Sequence, residues 1–123
     1  MTQFLAGRRI LIVEDEYYLA ADLAEALREH GADVVGPVGT YEAAVTAVEA
    51  DGFDTVVLDM NLRGEMSYKL AEKLDALGVP YVIATGYSAE SLPEHLRGKP
   101  RVEKPFRPER VVEMLMPELG THF

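Results

Sequence analysis

The chain has 123 residues, a net charge of −9 and no cysteine; that suits one domain with one core, excludes disulfides and thiolate metal sites, and is the wrong sign of charge for a nucleic-acid backbone or an anionic membrane. Hydrophobic residues are 48% of the chain and charged residues 27%, the balance of an ordinary globular protein. The opening MTQFLAGRR is too short and polar for a signal peptide, and no apolar run is long enough to span a bilayer, so a cytoplasmic protein is expected.

The first strand is expected at RRILIV, residues 8 to 13, and its tip carries three carboxylates, Glu14, Asp15 and Glu16. Leu19, Leu23, Ala26 and Leu27 then recur at helical spacing, and His30-Gly31 closes that helix with a glycine cap. A second strand, ADVVGPV at 32 to 38, leads to Thr40, which can cap a helix whose apolar face is Tyr41, Ala44, Val45 and Val48. The third strand is DTVVLD at 54 to 59, and it too ends on a carboxylate, Asp59. Leu70, Leu74 and Leu77 define a third helix, stopped by Gly78 and Pro80. PYVIAT at 80 to 85 is the fourth strand. A fourth helix from Ser88 is poorly specified, because Gly86 precedes it and Pro93 interrupts it. A short strand, RVE at 101 to 103, precedes a fifth helix that opens at Pro108 and buries Val111, Val112 and Leu115.

ILIV and TVVL are apolar throughout rather than alternating, which marks strands covered on both faces. Strands alternating with helices imply a parallel sheet with helices on each side. At this length the flavodoxin-like, doubly wound α/β fold is expected: five parallel strands in the order 2-1-3-4-5, flanked by five helices, in a single domain over residues 1 to 123. There is no linker, repeat or low-complexity segment.

In such a sheet, ligands bind beyond the carboxyl ends of the strands, where the strand order reverses. Glu14 and Asp15 follow the first strand, Asp59 ends the third, Thr85 ends the fourth and Lys104 follows the fifth, so these groups share one edge. Crowded carboxylates favour a hard divalent cation; magnesium takes one or two carboxylates together with waters and phosphate oxygens. The simpler role, capping the first helix at the positive end of its dipole, is assigned to Glu16. Asp59 can also act as a nucleophile and accept a phosphoryl group as an acyl phosphate. Lys104 and the hydroxyl of Thr85 would then offer donors to the phosphoryl oxygens. The three histidines, His30, His95 and His122, have no ligand spacing.

With these residues in this order, the chain resembles the bacterial response-regulator receiver domains of two-component signalling, the CheY-like phosphoacceptor domains. The marks are Glu14-Asp15 after ILIV, Asp59 after VVL, Asn61 two residues on, Thr85 after VIA, and the run Lys104-Pro105-Phe106. The resemblance implies that Asp59 is phosphorylated in a magnesium-dependent reaction by a sensor histidine kinase or a histidine phosphotransfer protein. It implies that Asp15, Asp59 and the backbone carbonyl of Asn61 bind magnesium directly, and that Glu14 acts through a metal-bound water. It further implies that Lys104 pairs with the phosphoryl group, that Thr85 moves toward it, and that the bond before Pro105 is cis, which proline makes inexpensive. The domain itself would be regulatory, catalysing only its own phosphorylation and dephosphorylation.

Two departures stand out. Arg101 occupies the position, three residues before the lysine, where receivers commonly carry an aromatic switch residue. The stretch Ile83 to Tyr87, IATGY, resembles a receiver subgroup with a Phe-Ala-Thr-Gly-Gly/Tyr motif, with Ile83 in place of Phe. Signalling is therefore expected to run through Thr85, Gly86, Tyr87 and a loosely formed fourth helix, Gly86 having backbone freedom that other residues lack.

Three other readings compete. Haloacid-dehalogenase-type phosphatases also use a strand-end Asp and magnesium, but need a second acid where this chain has Asn61. A flavin carrier on the same fold would have its cofactor phosphate repelled by EDEY. A receiver-like scaffold that is never phosphorylated would have no need of both Asp59 and Lys104. The chain stops soon after its fifth helix, at ELGTHF, so a stand-alone receiver with no output domain is expected, signalling by contact with a protein target or draining phosphate from a relay. The resemblance places a dimer face on the fourth helix, fifth strand and fifth helix, where Arg97, Lys99, Arg101, Arg107 and Arg110 form a basic patch.

Overall fold

In the computed structural model, residues 4–50, 52–86 and 89–120 are described. Along the chain these are β1 (Arg9–Val13), α1 (Tyr17–Glu29), β2 (Asp33–Val38), α2 (Tyr41–Ala50), β3 (Thr55–Asp59), a hairpin of β4 (Asn61–Leu62) and β5 (Glu65–Met66), α3 (Tyr68–Leu77), β6 (Tyr81–Thr85), β7 (Arg101–Glu103) and α4 (Pro108–Gly120). Five strands form one parallel sheet in the order β2-β1-β3-β6-β7, which is the expected 2-1-3-4-5 arrangement of the long strands. No helix among the described residues is long and apolar enough to cross a membrane.

Burial along each strand follows its place in the sheet. Every residue of β3 and β6 is buried, as are the last four of β1, whereas β2 and β7 have partly exposed residues because they are the edges. This is why ILIV and TVVL need no polar alternation: both faces of the inner strands are covered. Successive side chains point to opposite faces, and the core divides accordingly. Leu11, Val13, Val56 and Leu58 pack with Ala44 and Val48 of α2 and Leu70 and Leu74 of α3. Ile10, Ile12, Val57 and Val82 pack with Leu23 and Leu27 of α1 and Val111 and Leu115 of α4. Each such aliphatic side chain contributes about 1.5–3 kcal/mol on full burial, so the two layers fix which ends of the strands are left for polar groups.

The helix boundaries follow local chemistry. Thr40 Oγ1 accepts the Ala43 N–H at 3.1 Å and starts α2. Gly78, with φ +71°, ends α3 in the left-handed conformation that glycine adopts without strain. Gly36 answers to a tighter constraint. The β1–β2 pairing slips between Leu11 and Val13, and there Gly36 takes φ +87°, with a Cβ at that position falling 2.9 Å from the Val38 nitrogen and 3.1 Å from the Ile12 carbonyl oxygen. The Gly36–Pro37 bond is cis.

Three features depart from the sequence expectation. There are four α-helices rather than five among the described residues, since the segment expected as a fourth helix contains only two 3₁₀ turns, Ala89–Ser91 and Glu94–Leu96. Pro93, at φ −53° and ψ +145°, separates them; its extended ψ and missing N–H stop helical propagation, while Leu92 and Leu96 still bury into the core. Leu77, expected on the apolar face of α3, is 57% exposed because it lies in the last turn, beyond Leu74. The β4–β5 hairpin was not foreseen; its two loop residues, Arg63 (φ +55°) and Gly64 (φ +89°), both have positive φ, as a type I′ connection requires.

Candidate functional site

The carboxyl ends of β1, β3 and β6 and the residue after β7 come together at one edge of the sheet. One carboxylate oxygen each from Glu14, Asp15 and Asp59 lies within 4.8 Å of the others. Glu14 and Asp59 are only 2% and 3% exposed, so they cannot relieve their mutual repulsion by turning to solvent. Lys104 answers them. Its ammonium donates to Glu14 Oε2 at 3.0 Å, Glu16 Oε1 at 3.0 Å and Asp59 Oδ2 at 3.1 Å, which uses all the protons it carries. The Lys104 backbone is fixed as well, its N–H donating to the Thr85 carbonyl at 2.7 Å.

Local hydrogen bonds aim the carboxylates. Asp59 Oδ1 accepts the Asn61 N–H at 3.0 Å, and Asp15 Oδ2 accepts the Arg63 N–H from the hairpin at 2.9 Å. Fully buried Ser67 donates its hydroxyl to the Asp59 carbonyl at 2.8 Å and its N–H to the Met60 carbonyl at 2.8 Å, which holds the chain just past β3. Asn61 Oδ1 accepts the Gly64 N–H and closes the hairpin that carries Arg63.

The electrostatics follow from this crowding. Burial, with the Glu14 charge adding to it, pushes the Asp59 carboxyl up to about 8 against the opposing Asn61 N–H and Lys104. Burial also works upward on Asp15, but the hydrogen bonds from Asp59 and the Arg63 N–H outweigh it and hold Asp15 below the usual carboxylate range. For Lys104, burial alone would favour the neutral amine. The hydrogen bonds to Glu14 and Glu16 and the Asp59 charge reverse that and raise it above its ordinary value. At neutral pH this crowding favours a proton on Asp59 beside a charged Lys104 ammonium.

Above these groups is a cleft of about 370 Å³ lined by Asp15, Glu16, Asp59, Asn61, Gly86 and Lys104. Thr85, 1% exposed, ends β6 next to Asp59, since Asp59 pairs with Ala84 in the sheet. The Lys104–Pro105 bond is cis. Arg101 is not brought to the cleft: it sits on the edge strand opposite Ile83 and bonds Glu103 at 2.6 Å. Tyr87 lies outside the described residues. Glu16 departs from its expected role. It occupies the N-cap position of α1 with no side-chain cap bond, and its carboxylate turns to Lys104 instead. Ser67 and Arg63 carried no sequence signal for their roles, because one acts through a hydroxyl and the other through its backbone.

Comparison with known proteins decides the class. Residues 10–116 match the response regulator receiver domain. The chain belongs to this family. Receiver domains are the regulatory phosphoacceptors of response regulators in phosphorelay signalling, and they typically bind magnesium. The chain is 35% identical over 91 residues to the transcriptional regulatory protein PdtaR of Mycobacterium tuberculosis, a match spanning 73% of this chain and 44% of that protein. The chain thus spans under half the length of this curated relative. Among solved structures it is similar to SdrG from Sphingomonas melonis Fr1, with a TM-score of 0.77 and 41% identity over 91% of this chain and 94% of that one. It is also similar to the response regulator PhyR from Brucella abortus, with a TM-score of 0.77 and 28% identity over 91% of this chain and 47% of that one.

Proposed function

We propose that this receiver accepts a phosphoryl group on Asp59 from a histidine kinase or histidine phosphotransfer protein, with magnesium as cofactor. The observation that carries this reading is the meeting of Asp59 with Asp15 and the Lys104 ammonium at the floor of one open cleft, with the buried Glu14 carboxylate beside them. An oxygen of the Asp59 carboxylate attacks phosphorus, the bond to the donor breaks, and the leaving group departs with its electron pair, giving an acyl phosphate. Lys104 supplies a donor to one phosphoryl oxygen and Thr85 a hydroxyl to another, so charge that builds up in transfer meets fixed partners.

The residues present fit a hard divalent cation. Three carboxylates converge, and Glu14 Oε1 is buried without a hydrogen-bond partner, a costly state that a cation or its water shell relieves. Asp15, Asp59 and the Asn61 carbonyl would hold magnesium directly, and Glu14 through water. Magnesium, when bound, neutralises charge on the transferring oxygens.

Thr85, Gly86 and Tyr87 carry the change outward in this reading. Its support is that Gly86 lines the cleft and that, among the described residues, only short 3₁₀ turns follow it before β7, so that 89 to 96 is anchored by Leu92 and Leu96 but has no helical hydrogen-bond ladder to resist a shift. Arg101, engaged with Glu103, would report on this shift rather than drive it. On the face formed by the 3₁₀ segment, β7 and α4, where partner contact is expected, several of the cations are engaged within the chain. Arg97 bonds the Leu92 and Glu90 carbonyls, Lys99 bonds Asp75, and Arg110 bonds Glu113. The match to nearly all of the SdrG chain supports reading residues 1–123 as one receiver unit.

The test is incubation with acetyl phosphate and magnesium, read by intact mass. The expected result is one added phosphoryl group that requires magnesium and is absent in Asp59→Asn. An adduct that survives in Asp59→Asn would overturn the assignment.

A further inference from the structure

Glu16 has no place in the phosphoryl-transfer scheme above, yet it makes one of the three hydrogen bonds to Lys104. Its position is fixed from the backbone: the Glu16 N–H donates to Glu14 Oε2 at 3.0 Å, and its carbonyl accepts the first helical bond of α1, from Ala20, at 2.8 Å. Its side chain is free to choose, being 60% exposed, whereas the Glu14 side chain is 1% exposed and that of Asp59 4%. The Glu16 carboxylate borders both the cleft over Asp59 and a second one, of about 380 Å³, lined by Leu19, Lys104, Pro105 and Phe106.

A lysine ammonium has three protons and no more. With Glu14, Glu16 and Asp59 all satisfied, no proton of Lys104 is left for an incoming phosphoryl oxygen. One partner must yield. Stripping Glu14 would take the counter-ion from a buried carboxylate and leave its Oε2 only the Glu16 N–H. Asp59 is the reacting group and stays. Glu16 can turn its carboxylate into water at the smallest cost of the three, since its own end of the pair is already solvated.

We propose that Glu16 is a positioning residue for phosphoryl transfer: it occupies the Lys104 proton that the phosphoryl group later takes, and it must swing away for transfer to complete. This inference rests on the reading of Asp59 as phosphoacceptor. Glu16 thereby holds the ammonium over the cleft in the resting protein and places a negative charge at the mouth through which an anionic donor enters. Its removal gives the phosphoryl oxygens uncontested access to Lys104 and removes that charge. In the transfer itself the bond between acetyl oxygen and phosphorus breaks, the bond from Asp59 to phosphorus forms, and acetate leaves with the electron pair.

Two readouts test it on the full chain. In the first, with magnesium and acetyl phosphate, intact-mass time courses compare wild type, Glu16→Gln and Glu16→Asp. Glu16→Gln is expected to phosphorylate about threefold faster and to keep the phosphoryl group longer, the size of effect an exposed ion pair supplies; Glu16→Asp, which keeps the charge, returns toward wild type. In the second, without metal, nitrogen-15 spectra follow exchange of the Lys104 ammonium protons with water. Faster exchange in Glu16→Gln with unchanged amide shifts elsewhere in the sheet is expected. If the wild type is phosphorylated and Glu16→Gln matches it in rate and lifetime, or if ammonium exchange is unaltered, the inference is wrong. If the wild type takes no phosphoryl group at all, the phosphoacceptor reading fails first, and the exchange arm alone decides whether Glu16 holds Lys104.

Discussion

Lys104 Nζ lies 3.1 Å from Asp59 Oδ2, although the two residues are 45 positions apart in the chain. The contact exists because β3 and β7 flank β6 in one parallel sheet, so their carboxyl ends open on the same edge. One ammonium there serves three carboxylates, from Glu14, Glu16 and Asp59. The resting site is held together by a cation that is short of capacity, and that imbalance governs how the protein should respond to mutation, pH and metal.

Removing the cation should expose the imbalance. Lys104→Met leaves two buried carboxylates facing each other, and loss of one partner from a buried ion pair costs about 3 kcal/mol or more. Urea unfolding at pH 8 without magnesium is expected to show that loss. The deficit should shrink at pH 6, where a proton on Asp59 replaces part of the missing charge. Equal stability of mutant and wild type at pH 8 would show that Lys104 does not hold the site.

Asp59 should make stability depend on pH in an unusual direction. Its carboxyl is raised to about 8, chiefly by burial, against an unfolded value near 4. The folded protein therefore holds this proton more tightly than the unfolded chain does. The resulting stability is fully present below about pH 4 and is lost as pH rises toward 8, then stays level. Asp59→Asn cannot lose a proton there. The mutant should be more stable than wild type at pH 8 by on the order of 2–3 kcal/mol and close to it near pH 5, in the absence of magnesium. Chemical denaturation across that range checks it.

Magnesium should reverse this penalty. Binding needs Asp59 ionised, so at pH 7 it should release protons and tighten as pH rises toward 8. Calorimetry in buffers of different ionisation enthalpy reads the proton count. Asp15→Asn and Asp59→Asn should each abolish measurable binding, and Glu14→Gln should weaken it about tenfold, as loss of a partner acting through water does.

Much of this site is legible in the sequence. ILIV and TVVL declare strands buried on both faces, and the carboxylates that follow them place Glu14, Asp15 and Asp59 at one sheet edge. Thr85 and Lys104 follow from the same register. The failures have local physical causes. The segment after Gly86 carries helix-like composition, but a single proline with extended ψ, Pro93, divides it into two turns. The hairpin at 61–66 has Arg63 where such turns usually show Asn or Asp, so its Gly64 gave no usable signal. Glu16 looked like a helix cap because capping is local, whereas its actual partner is 88 residues away.

Gly36 tests the fold itself. A methyl group there meets the Val38 nitrogen and the Ile12 carbonyl, both backbone atoms, at a φ of +87°. Gly36→Ala should lose about 2–3 kcal/mol from left-handed strain and the clash together. Because β2 is an edge strand, the sheet should survive and magnesium binding should persist. A thermal melt unchanged from wild type would mean that the β1–β2 pairing is not as drawn.

The most direct measurement is to locate the phosphoryl group. After reaction with acetyl phosphate and magnesium, borohydride reduces an aspartyl phosphate to homoserine, and peptide mass spectrometry reads the residue. Homoserine at position 59 alone is the expected result. Homoserine at Asp15, or a phosphoryl group that resists borohydride on any other residue, would contradict the assignment of Asp59 as the acceptor.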